Sequence, residues 1–87
     1  DVVYLEADGR YTTIFTEEKR FVLRMPLSEL ANKFTSIPLL QSHRSYQVNL
    51  SKVDKVDLEM SVIHAGKHEI PLSKRNKDQF LKQLEIL

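Results

Sequence analysis

The chain has 87 residues, 13 basic and 12 acidic, a formal net charge of +1, 41% hydrophobic and 29% charged residues, and no cysteine. That length makes one domain, residues 1–87, with the balance of a globular rather than a disordered chain. The composition excludes disulfide frameworks, thiolate metal sites and thiol nucleophiles, no apolar run approaches the about 18 residues that span a bilayer, and the opening Asp1-Val2-Val3-Tyr4 has no signal-peptide pattern.

Residues 2–6 and 10–16 are rich in β-branched and aromatic side chains and read as strands, with Asp8-Gly9 as the tight turn between them. Glu17-Glu18-Lys19 reads as a polar turn, and residues 20–24 as a third strand. Pro26 suits a first helical position, and Leu27, Leu30, Ala31 and Phe34 recur at i, i+3, i+4 and i+7, which predicts an amphipathic helix over 26–34. Beyond Pro38, residues 39–44 read as a strand running into a turn, and 46–50, 53–58 and 61–65 as further strands. Gly66-Lys67 turns the chain into a last strand, 68–72. Ser73 is then the expected N-cap of a closing helix whose apolar stripe is Phe80, Leu81, Leu84 and Leu87. The expected class is mainly β with two short helices.

The near-zero total hides an uneven distribution. Residues 1–18 hold five acids against Arg10 alone. Residues 41–52 hold Arg44 and Lys52 with no acid, and 67–77 hold Lys67, Lys74, Arg75 and Lys77 against Glu69. The same stretches carry His43, Ser45, Asn49, Ser73 and Asn76, which can hydrogen-bond phosphates or base edges. Cations in the first turn of a helix oppose its dipole by about 0.3–1 kcal/mol each, so Lys74, Arg75 and Lys77 there suggest an external anion. The plain alternative is a solvated loop and a solvated helix start.

Residues 39–50 make the pattern specific. His43-Arg44-Ser45-Tyr46-Gln47-Val48-Asn49 resembles the LytTR DNA-binding family, whose pattern is a His, a small polar or basic residue, Ser, an aromatic, a variable position, then Val-Asn. Residues 3–11 resemble the family's early strand–turn segment, and residues 66–75 its closing strand and helix start. The resemblance implies small antiparallel sheets stacked on each other. It also implies double-stranded DNA as partner, read by loops entering successive major grooves of repeated promoter half-sites, in the cytoplasm of a bacterium. The family serves as the output domain of two-component response regulators, so phosphorelay signalling, an upstream receiver or sensor domain, one or more earlier strands and a dimer in the full-length protein are expected. Carried over by position, the DNA-contacting residues are Arg10, Tyr11 and Thr12 in the first turn and strand start, His43, Arg44 and Ser45 in the motif loop, and Ser73, Lys74, Arg75 and Asn76 at the helix start.

Other classes find little support. His43, His64 and His68 come without a patterned carboxylate and do not read as a metal site. There is no Gly-rich phosphate loop, no nucleophile elbow and no His–Glu pair at helical metal-ligand spacing, so neither an enzyme nor a cofactor is expected. Asn49, following a strand, is expected to fix a turn through its own side chain, and Tyr46 to pack inward. The alternative function is a protein-interaction module whose basic loops or edge strands bind an acidic or phosphorylated partner.

Overall fold

The computed structural model describes residues 1–86, with side chains to Glu85. In chain order the elements are β1 (Val2–Asp8), β2 (Tyr11–Thr16), β3 (Arg20–Leu23), α1 (Leu27–Ala31), β4 (Leu39–His43), β5 (Tyr46–Asn49), a 3₁₀ turn (Leu50–Lys52), β6 (Lys55–Asp57), β7 (Val62–Ala65), β8 (His68–Pro71) and α2 (Lys74–Ile86). The strands form a five-stranded sheet in the order β3-β2-β1-β5-β4 and a three-stranded sheet β6-β7-β8, with every pair antiparallel. This is the mainly β architecture with two helices that the sequence leads one to expect.

β1 lies at the centre of the larger sheet, and its Val3, Tyr4 and Leu5 are all buried. A run rather than an alternation is what a strand needs when both faces are covered. One face joins Val3, Tyr4, Val48 and Leu50 to Ile63, Ala65, Ile70 and Leu72 of the smaller sheet and to Phe80 of α2, making one core. Leu5 and Leu30 are also buried but stand outside that cluster, where α1 closes the other face. The closing-helix stripe is seen in buried Phe80 and half-buried Leu81 and Leu84, while Leu87 lies outside the described residues.

Several boundaries differ from expectation for identifiable reasons. Asp8 pairs with Tyr11, so the first hairpin turns on Gly9-Arg10 rather than Asp8-Gly9, and Arg10 leaves the strand. Gly9 has φ +62° and Arg10 has no positive φ, the signature of a type II′ turn, in which glycine occupies the first central position. Gly66-Lys67 repeats the arrangement with φ +60° at Gly66. Ser61 takes φ 57° before β7, which shortens that strand by one residue. α1 spans five residues only, and Pro26 is its extended N-cap (φ −62°, ψ 147°) rather than its first helical residue. Lys33 and Phe34 donate to Leu30 and Ala31, three residues back, so the periodic stretch ends in 3₁₀-type turns.

Candidate nucleic-acid interface

β1 runs antiparallel to both β2 and β5, so the β1–β2 turn and the β4–β5 turn open at the same end of the larger sheet. The Ala7 N–H donates to the Ser45 carbonyl at 2.8 Å and ties the two together. β4 carries an irregularity at Ser42, between the pairs Gln41–Gln47 and His43–Tyr46. The freed Ser42 carbonyl accepts the Ser73 N–H at 2.8 Å, which fastens the start of α2 beside the motif loop. Three segments far apart in sequence, 9–10, 43–45 and 73–76, therefore meet at one end of the domain.

Arg10, Arg44, Lys74 and Arg75 are exposed there, and among the described residues none has a carboxylate oxygen within salt-bridge distance. The first turn of α2 contains no acid, so its dipole and the Lys74 and Arg75 charges all favour an anion from outside. His43 is half-buried, edge-on to Tyr46 at 5.4 Å between ring centroids, and its Nδ1 accepts the Ser45 N–H at 3.1 Å. A backbone amide can only donate, so the neutral ring carries its proton on Nε2 and offers a hydrogen-bond donor. Half-buried Ser45 uses both its backbone groups in this junction.

Other expected contacts have internal duties. Thr12 is 0% exposed, and its hydroxyl donates to the Met25 carbonyl at 2.7 Å, so the expectation of a DNA contact is corrected: the side chain is inside the fold. Its neighbour Tyr11 is exposed. Ser73 caps α2, its Oγ accepting the Asn76 N–H at 3.2 Å and donating to Asn76 Oδ1 at 2.6 Å. Asn76 thus spends its side-chain oxygen on the cap, and both residues are half-buried.

Asn49 closes a turn, as its position after a strand suggests. Its Oδ1 accepts from the Ser51 N–H at 3.0 Å and the Ser51 hydroxyl at 2.7 Å, and its Nδ2 donates to the Val2 carbonyl at 2.7 Å. Tyr46 packs near Tyr4 and donates its hydroxyl to Glu6 at 3.1 Å. Burial, then the Glu6 carboxylate, raise the Tyr46 pKa above its usual value.

The charge distribution read along the chain also needs correction in space. Lys52 lies at the opposite end, within 3.7 Å of Asp1 and 3.5 Å of Glu17. Lys67 is there too, in the β7–β8 turn beside a cleft of about 400 Å³ lined by Glu17, Lys52, Asp54 and His68. His68 is fixed there by its Nε2, which donates to the Thr16 carbonyl at 3.1 Å, and among the described residues no three histidine or carboxylate side chains are grouped to share a metal ion. Sequence reasoning missed Arg24, which is exposed and follows Leu23, the partner of Thr12 in the β2–β3 register. Working out that register from the hairpin would have carried it to the same end as Arg10.

The model for the LytTr DNA-binding domain family matches residues 1–85. In an alignment 91 positions long that covers 97% of this chain, it is 35% identical to the heme-containing CO-sensing transcriptional regulator RcoM 2 of Paraburkholderia xenovorans, of which it spans 33%. It is 30% identical over 57 residues to the transcriptional regulatory protein YpdB of Escherichia coli, covering 66% of this chain and 23% of the relative. Among solved structures, a LytTr DNA-binding domain from Bacillus cereus superposes with a TM-score of 0.80 at 24% identity, over 95% of this chain and 80% of that one, a likeness of fold. The chain thus spans about a third or less of these transcriptional regulators. With the motif at residues 43–49, the family match and the shared fold in agreement, the chain belongs to the LytTr DNA-binding domain family.

Proposed function

We propose that this domain is the sequence-specific, double-stranded DNA-binding output domain of a bacterial transcriptional regulator, acting in the cytoplasm, with its loops entering major grooves of repeated half-sites. The observation that carries the reading is the convergence of 9–10, 43–45 and 73–76 at one end of the larger sheet, fastened by the Ala7–Ser45 and Ser73–Ser42 backbone bonds. Arg44, Lys74 and the free N–H groups of the first α2 turn anchor phosphates, while Arg75 and the Nε2–H of His43 read base edges. Arg10 flanks them from the first hairpin. Ser73 and Asn76 act through the cap that orients Lys74 and Arg75. Two copies occupy half-sites about one helical turn apart, brought together by an upstream receiver or sensor domain.

The test is a fluorescence-polarisation titration against a randomised duplex pool at two salt concentrations, with bound DNA recovered and sequenced. Enrichment of a short repeated motif with steep salt dependence is expected. Arg75→Ala should then cost about 1–3 kcal/mol on the preferred site and relax specificity at one position. Wild-type behaviour of Arg75→Ala on both selected and random duplexes would remove its assigned role. A shallow salt slope would favour a protein partner, for which the exposed β3 edge, with Phe21, Val22 and Leu23, offers an apolar strand.

A further inference from the structure

Arg24 stands at the junction between β3 and α1, outside the three segments the family resemblance points to. Its place is set by the β2–β3 pairing, in which Leu23 faces Thr12, one residue from Tyr11 and two from the Arg10 turn. The Met25 N–H donates to the Leu23 carbonyl at 3.1 Å, a three-residue turn with Arg24 at its apex. The Met25 carbonyl in turn accepts the Thr12 hydroxyl at 2.7 Å. The backbone on both sides of Arg24 is therefore tied down, on one side by the strand ladder and on the other by a buried hydroxyl. The side chain itself is exposed, and among the described residues it has no carboxylate partner.

We infer that Arg24 is a further duplex contact, a phosphate anchor on the flank of the interface, and that Thr12 is the positioning residue that holds it there; this rests on the DNA-binding reading above. A cation whose backbone is already ordered loses less freedom on binding than one on a loose loop. Arginine's planar fork suits two phosphate oxygens, or one phosphate approached from the side, better than a lysine would. The inference also explains Thr12. A valine would fill the same space on a β-strand equally well, so the hydroxyl is there for its one bond, and that bond fixes the turn that presents Arg24.

Arg20 supplies the control, because it is the same residue type on the same strand, exposed, and paired with Phe15 at the opposite end. Binding of this chain to the labelled duplex recovered from the pool, and to a random-sequence duplex, is measured by fluorescence polarisation across a salt series. Arg24→Gln should weaken both duplexes by a similar factor, about three- to tenfold at low salt, and lower the slope of log affinity against log salt by about one. Arg20→Gln should change neither. Thr12→Val should reproduce the loss, Thr12→Ser should restore affinity, and Thr12→Val should add nothing when Arg24 is already Gln. Wild-type affinity and slope in Arg24→Gln, or an equal loss in Arg20→Gln, would overturn the contact. Additivity of Thr12→Val with Arg24→Gln would overturn the positioning role. If Thr12→Val does not fold, the comparison of Arg24→Gln with Arg20→Gln still decides the contact, and Thr12→Ala, measured at a temperature where it is folded, takes the place of Thr12→Val in testing the hydroxyl's role. If the wild type binds neither duplex, the DNA-binding reading itself fails and Arg24 falls with it.

Discussion

Replacing Asn49 by Ala separates a residue that builds the interface from one that touches DNA. Asn49 is 2% exposed and makes three hydrogen bonds, one to the Val2 carbonyl and two from Ser51. At about 0.5–1.5 kcal/mol net per bond, their loss sums to about 1.5–4.5 kcal/mol. Ser51 is exposed and its freed groups can reach water, whereas the Val2 carbonyl is half-buried, so the expected cost lies in the middle, about 2–3 kcal/mol. For a domain of this size each kcal/mol lowers Tm by about 4–8 °C, which makes the expected fall roughly 10–20 °C. Thermal unfolding followed by circular dichroism measures it. Asn49→Asp keeps the acceptor for Ser51 but replaces the donor toward Val2 with an oxygen, so it should not restore stability. At a temperature where the variant is folded, its duplex affinity and salt slope should match the wild type. An unchanged Tm together with lost DNA binding would refute the reasoning and make Asn49 a contact.

Two further outcomes test the core and its titration. Phe80→Ala empties a site of 0% exposure where α2 meets both sheets and should cost about 3–5 kcal/mol, read from the urea midpoint, a large share of what a small domain has. Burial chiefly, then the charge of Glu6, push the Tyr4 hydroxyl from its usual 10.0 up to about 12. Because the folded value lies above the unfolded one, this stabilisation is fully present below pH 10.0 and is lost as pH rises through about 12. Tyr46 shifts in the same direction. Tyr4 therefore contributes to alkaline destabilisation, and Tyr4→Phe should flatten that limb of the stability–pH curve. A curve equally steep in Tyr4→Phe would contradict the assignment.

Much of the fold was legible because its elements are local. Glycines at 9 and 66 mark two-residue hairpins, and the β-branched runs on either side of them leave little choice but strands. The short reach of α1 was not legible, since Phe34 keeps helical spacing while its amide bonds three residues back. The motif residues 43–49 pointed to the family, but spacing gives no burial. Thr12 is buried with its hydroxyl on the Met25 carbonyl, while Arg24, just past the Leu23 that pairs with Thr12, stays at the surface, and neither fact shows in residue type or spacing. Charge clusters read along the chain failed at Lys52 and Lys67 for a similar reason. β5 and β8 each cross the domain, so neighbours in sequence finish at opposite ends. Ser42, whose irregular place in β4 docks α2, carries no mark in the sequence at all, and its buried hydroxyl has no partner among the described residues.

The central claim is that one end of the larger sheet is the face that meets DNA. An amide chemical-shift titration of this chain with a duplex tests it most directly. The account predicts the largest changes at Gly9, Arg10, His43, Arg44, Ser45, Lys74 and Arg75, with Glu17, Glu18, Gly66 and Lys67 unmoved. Changes concentrated at those last four, or spread evenly over the surface, would contradict it.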